Sequence, residues 1–176
     1  IIHVASLEQA KNYGIFNYHS EKLAQKFWPG PLTLLVNKSI GSQISSIATS
    51  NLQTVALRVP SHPVALKILK KYKKPIAAPS ANISGNISPT NPYHVYEDFG
   101  EEIKLIIDGG QSEKGVESTV VDIRSHNIII LRHGPITQQI LEKKVGSKIK
   151  KKGSNKKVLS PGQMFKHYSP SKKLII

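Results

Sequence analysis

The sequence predicts an α+β or mixed α/β domain, and three observations carry that prediction. Short apolar runs of strand length alternate with helical stretches along most of the chain. Two of those runs, Ser118 to Ile123 and Ile128 to Leu131, are separated only by Arg124 and a polar turn, the signature of an antiparallel hairpin. Helices mixed with short strands in this way argue against a regular doubly wound sheet, and no internal repeat is visible. At 176 residues the chain is long enough for one core, and a domain of this size buries ~70% of the surface its unfolded chain would expose.

Taken in order, residues 1 to 5 read as a strand. Ser6 then caps a short helix, with Gln9 three positions on completing a capping-box pattern and Gly14 as the stop. Ser20 opens a second helix, Glu21 to Phe27, which Pro29-Gly30-Pro31 ends. Leu32 to Asn37 is strand-like, and 38–53 is too poorly patterned for more than a loop or short helix. Thr54 to Val59 alternates, placing Val55, Leu57 and Val59 on one face and Thr54, Ala56 and Arg58 on the other. After Pro60, Ser61 is the expected cap of a helix whose apolar stripe is Val64, Leu66, Ile68, Leu69 and Tyr72. Ile76 to Ala78 reads as the end of a buried strand. Asn91-Pro92 starts a helix running to about Phe99. Leu105 to Ile107 reads as a short buried strand stopped by Asp108-Gly109-Gly110. A last amphipathic helix follows Gly134-Pro135, with Ile136, Ile140 and Leu141 inward.

The net charge of +14 is unevenly spread. From Lys143 onward there are eleven lysines and no acidic residue, so residues 1–142 hold only +3. A Lys/Gly/Ser-rich stretch without aromatics reads first as a solvated linker, expected to start near Val145, with a weak RNA contact as the lesser reading. Prolines and aromatics return between Leu159 and Pro170. The chain has no cysteine, which removes disulfides, thiolate nucleophiles and Cys-based metal sites together. No apolar run approaches the ~18 to 20 residues of a membrane span. A cytoplasmic protein fits both facts.

The stretch richest in chemistry is Pro75 to Thr90. Pro79 ends ladder donation and starts a loop in which Ser80, Asn82, Ser84, Ser88 and Thr90 offer hydroxyls and amides, and Gly85 permits close backbone approach. Composition alone fits an ordinary turn cluster equally well. Pro79-Ser80-Ala81-Asn82, followed by Ser84-Gly85 and Ser88-Pro89-Thr90, resembles the Ser-x-Asn loop of the YrdC-like domain of the threonylcarbamoyl-adenylate synthase family. Other stretches match in the same order: Phe27-Trp28-Pro29-Gly30-Pro31-Leu32-Thr33, Leu57-Arg58-Val59-Pro60, Glu117-Ser118-Thr119-Val120-Val121-Asp122 and Leu131-Arg132-His133-Gly134. The segment Ser160 to Pro170 is similar to the linker of the long, two-domain members.

The resemblance implies a YrdC/RibB-like twisted sheet with helices, followed by an extended linker: a catalytic domain over 1–144, a basic linker with a lid motif over 145–170, and the start of a further domain at 171–176. It implies a nucleotidyltransferase that turns L-threonine, bicarbonate and ATP, with Mg²⁺ accompanying the ATP, into threonylcarbamoyl-adenylate and pyrophosphate. The product would pass to a tRNA-modifying transferase complex. By the same resemblance Arg58, Ser80, Ser118 and His3 would hold threonine, and Thr54, Asn82, Thr90 (or Ser88), Arg132 and Tyr168 would hold ATP, with Ser80, Asn82 and Arg58 central to catalysis. Asp122 and Glu117 read as structural or supporting. The family's Lys-x-Arg element is absent, so the two cations it would supply are missing. Losing one preorganised stabiliser typically costs ~2.7 to 4 kcal/mol, and both ends of the sequence read as cut, so these residues alone are expected to be nearly inactive. The alternatives from other classes are an RNA-binding YrdC-like module without catalysis and an inactive gene fragment.

Overall fold

A computed structural model describes residues 1–146 and 148–151. Eight strands and five α-helices follow one another as β1 (Ile2–His3), α1 (Leu7–Lys11), β2 (Gly14–Ile15), α2 (Tyr18–Phe27), β3 (Leu32–Lys38), β4 (Thr54–Arg58), α3 (Pro63–Tyr72), β5 (Ile76–Ala77), α4 (Pro92–Phe99), β6 (Thr119–Asp122), β7 (Ile129–Arg132), α5 (Gln138–Val145) and β8 (Lys150–Lys151). They form a single mixed sheet in the order β5-β1-β4-β3-β6-β7-β8. β2 pairs with the far end of β3: Asn37 faces Thr54 on one side and Ile15 on the other, so β2 continues the lane of β6. β1 and β4 run parallel, as do β3 and β6, while β6 and β7 form the expected antiparallel hairpin.

Alternation along the central strands sorts residues onto two unequal faces. Leu34, Val36, Val55, Leu57, Val59, Val121 and Ile130 enter the main core, which α1, α2 and α5 cover with Ala10, Leu23, Ala24, Leu141 and Val145. The opposite face carries a much smaller cluster, Leu35, Val120 and Leu131. Thr33, Arg58 and Ser118 share that second face by the same two-residue period. It is the face left free for a ligand.

Several local expectations need revision. The first helix stops at Asn12 rather than Gly14, which is strand. Gln9 closes only half of the capping box: Ser6 Oγ accepts from the Gln9 N–H, but the Gln9 side chain accepts from Ala5 N–H and not from Ser6. The second helix starts at Tyr18 because Asn17 takes the cap position, with Ser20 returning the bond as the third helical residue. His62, not Ser61, precedes α3, and of that helix's apolar stripe only Leu69 is buried. Ile76–Ala77 is an edge strand with Ala77 exposed, so Ile76 to Ala78 is not a buried strand. Leu105 to Ile107 is no strand at all, and Leu105 is 73% exposed. At the other end, packing runs past Val145: Ile149 is buried and Lys150–Lys151 pair alongside β7, so two apolar residues suffice to draw the start of the basic stretch onto the sheet. The rest of that stretch, with Tyr168, the 160–170 motif and residues 171–176, lies outside the described residues.

Candidate active site

A half-open cavity of about 500 Å³ lies at one end of the second face. Ligand pockets typically span ~300 to 1,000 Å³. Its walls come from six separate places in the chain: His3 from β1, Ala48 from the segment between β3 and β4, Arg58 from β4, Ser80 from the loop after β5, Glu117 and Ser118 from the approach to β6, and Arg132 from the end of β7. Register explains the convergence. His3 is paired with Arg58 across β1 and β4, and Val120 with Arg132 across β6 and β7. Residues as far apart in sequence as His3 and Arg132 are thereby brought to one end of the sheet.

Each arginine is held by its Nε, so that its fork faces a fixed direction. Arg58 Nε donates to the Gly30 carbonyl at 3.0 Å. Gly30 must be glycine here, because a Cβ would collide with the Phe27 carbonyl oxygen. Arg132 Nε donates to the Ser118 carbonyl at 3.0 Å, its Nη2 to Ser118 Oγ at 2.9 Å, and its Nη1 to Glu117 Oε2. Gly134 serves this second arginine as Gly30 serves the first, since any side chain there would strike the Glu117–Thr119 backbone.

The two guanidinium groups are unequally compensated. Arg132 has Glu117, whereas Arg58 makes no ion pair among the described residues. Burial, and then the charge of Arg132, push the pKa of Arg58 down from its ordinary value. His3 beside it is pushed down to about 4, by burial first, then by Arg58 and the chain's amino group, against a smaller opposing contribution from a backbone bond at Ile1. At neutral pH the side chains lining the cavity therefore include two guanidinium groups, one carboxylate and a neutral imidazole. A bound anion would relieve the excess positive charge, and a carboxylate matches the open fork of Arg58 bidentately.

The other residues singled out by sequence are placed differently. Thr54 shares a face with Arg58 but sits four residues away, ~13 Å along a strand, and it does not line the cavity. Alternation fixes the face and not the position along it. Asn82 lies two residues beyond Ser80, after Ala81 at φ +39°, a backbone conformation that costs a non-glycine residue ~1 to 2 kcal/mol. Its Nδ2 donates to the Ile83 and Asn86 carbonyls, closing the loop on itself, while its buried Oδ1 has no partner among the described residues. Thr90 bonds His94 and accepts from Ser112 N–H, away from the cavity wall. Ser88 donates to Glu117 Oε1 at 3.0 Å, which ties the loop to the arginine floor. Two contributors were missed by sequence reasoning: Ala48, from the unpatterned 38–53 segment, and Thr33, whose hydroxyl lies 2.8 Å from Ser118 Oγ. Strand alternation on β3 was the available signal for Thr33.

Fold and site together define a YrdC-like domain with a cationic small-molecule cavity. The Sua5/YciO/YrdC family model, described as "telomere recombination", matches residues 1–134, and the chain belongs to this family. It is 44% identical to the threonylcarbamoyl-AMP synthase of Pyrococcus abyssi and 39% identical to that of Bacillus subtilis. Both matches cover the whole chain but 53% and 52% of the relatives, so the chain spans about half their length. The crystal structure of P. abyssi Sua5 complexed with L-threonine superposes with a TM-score of 0.90 at 43% identity, covering 97% of this chain and 51% of that one. Escherichia coli YciO, 22% identical with a TM-score of 0.66 over 76% of this chain and 65% of its own, shares the fold.

Proposed function

We propose that this chain carries the adenylate-forming site of a threonylcarbamoyl-AMP synthase, joining L-threonine, bicarbonate and ATP into threonylcarbamoyl-adenylate with release of pyrophosphate. The observation that supports this best is the unpaired fork of Arg58, set in one cavity with His3, Ser80, Ser118 and Arg132. An α-carboxylate seated there would leave the amino acid's amine to become the carbamate, whose oxygen attacks the α-phosphate as pyrophosphate departs. Such a displacement requires positioning and charge stabilisation and no side-chain nucleophile. Neutral His3 would border the amino acid without adding charge. Arg132 faces the phosphate side, and Asn82 Oδ1 is an unclaimed acceptor for the nucleotide. Thr54, Thr90 or Ser88, and Tyr168 complete the nucleotide contacts by resemblance to the family, with residues 161–170 as a lid.

Among the described residues Glu117 is the one carboxylate lining the cavity, and its oxygens already meet Arg132 and Ser88. Among the described residues no cluster of three or more ligating side chains exists. Mg²⁺ would therefore have to arrive on the nucleotide's own phosphates. The adenylate would pass to the tRNA-modifying transferase complex. No helix among the described residues is long and apolar enough to cross a membrane.

The test is L-threonine binding by calorimetry. Wild type is expected to bind, and Arg58→Gln to weaken binding by about 10- to 100-fold, the value of a charged hydrogen bond. Binding of RNA that is insensitive to ATP and threonine, with no threonine heat, would replace this reading with that of an RNA-binding module.

A further inference from the structure

The hydroxyl pair under the cavity floor can be assigned by counting protons. Among the described residues Ser118 Oγ has two partners: Arg132 Nη2 at 2.9 Å and Thr33 Oγ1 at 2.8 Å. A guanidinium carries only donors, so Ser118 accepts from Arg132. The contact with Thr33 is ambiguous by distance alone. Thr33, however, is wholly buried, and Ser118 Oγ is the one partner its hydroxyl has among the described residues. If Ser118 donated to Thr33, the Thr33 proton would be sealed in the protein without an acceptor, an arrangement folded proteins avoid. If Thr33 donates instead, both lone pairs of Ser118 Oγ are filled and its own proton is left over. Ser118 lines the cavity, and the open direction is toward the ligand.

We propose that Thr33 is a positioning residue that compels the Ser118 hydroxyl to donate into the cavity, making it a hydrogen-bond donor reserved for a substrate carboxylate or other anion. The Arg58 fork and the Ser118 hydroxyl then both present donors to the cavity, and a neutral ligand group that must itself donate would be disfavoured between them. The arrangement spans three strands and could not be built from any one of them: Thr33 on β3, Ser118 at the mouth of β6, and Arg132 on β7. It rests on the functional reading above for the identity of the anion, and not for the direction of the proton.

A double-mutant cycle in the full chain, read as the dissociation constant for L-threonine, tests it. Thr33→Val removes the hydroxyl at nearly constant volume and is expected to weaken binding roughly fivefold to tenfold, the range of one neutral hydrogen bond. In a Ser118→Ala background the same substitution should do nothing further. Thr33→Ser should retain affinity, whereas Thr33→Ala should not. That second pair differs by the hydroxyl alone, so the comparison survives if Thr33→Val does not fold. Wild-type affinity in Thr33→Val, or losses from Thr33→Val and Ser118→Ala that multiply, would overturn the positioning role and leave the proposed function standing. Absence of threonine binding by wild type would overturn the function, and this inference with it.

Discussion

The centre of the sheet and the flank formed by residues 72–116 are built to different standards. In the centre Leu32, Leu34, Leu57, Val120 and Val121 are fully buried, and the strands pair over four or more residues. In the flank Tyr72, Ile83, Ile87, Tyr93, Tyr96, Leu105, Ile107 and Val116 are all about half exposed or more, and α4 buries no residue. The two regions are held together by the short pairing of β5 with β1 and by a few further hydrogen bonds: Ala78 N–H to the Ile1 carbonyl, Gln9 Nε2 to the Lys73 carbonyl, His62 with the Gly109 carbonyl, and Ser88 with Glu117. The cavity lies along this seam. Arg58, Ser118 and Arg132 stand on the well-packed side, and Ser80 with Asn82 stands on the thin one. Local stability follows buried apolar contact, so the arginine half of the site should keep its geometry while the loop half opens at lower cost.

The sharpest way to break that contrast is to empty the centre. Leu57 is completely buried where β4 meets both β1 and β3. Leu57→Ala is expected to cost about 2 to 5 kcal/mol, lost transfer energy plus a cavity that neighbouring strands cannot close. Urea or guanidinium unfolding measures it. A loss below 1 kcal/mol would mean that the centre is no better packed than the flank.

Acid probes the seam itself. His3 has an ordinary value of 6.5 and is pushed down to about 4 in the fold. As pH falls below 6.5 the unfolded chain takes up a proton that the folded chain refuses until about 4. His3 therefore contributes stability in full above pH 6.5, loses it progressively as pH falls to 4, and has none left below. The total is about 3 kcal/mol, each pKa unit being worth ~1.4 kcal/mol. His3→Gln should flatten the stability profile between pH 6.5 and 4, and an unchanged slope in that variant would assign the acid sensitivity to other groups.

The same contrast decided what could be read from sequence. In the centre, alternation marks the buried face of β4 and the β6/β7 hairpin, because there local pattern and tertiary burial agree. In the flank they disagree: Leu105 to Ile107 has the composition of a buried strand but pairs with no strand among the described residues. Pattern also places Arg58 on the ligand face without its position along the strand relative to Thr54. Thr33 stayed hidden for a related reason. A buried threonine in an apolar strand looks like β-propensity, and its chemistry emerges only when register brings Ser118 over it. The helix starts failed by chemistry: Asn17 and Ser20 both cap, and the sequence favours neither until Asn17 Nδ2 is seen to reach the Ile123 carbonyl.

The smallest expected effect is the most informative about the flank. Leu105→Ser replaces a large apolar side chain that is 73% exposed, and such surface changes usually stay within about 0.5 kcal/mol. Stability should therefore be unchanged in the isolated chain, in direct contrast to Leu57→Ala. Solubility should improve, since eight apolar side chains within 45 residues present an adhesive surface. Unfolding midpoint and sedimentation velocity, measured together, separate the two effects. A destabilisation above 1 kcal/mol would show that Leu105 is covered in solution and that the flank is better packed than its exposure indicates. The thin half of the site would then be as stiff as the thick one, and the loop bearing Ser80 and Asn82 could not open independently of the arginine floor.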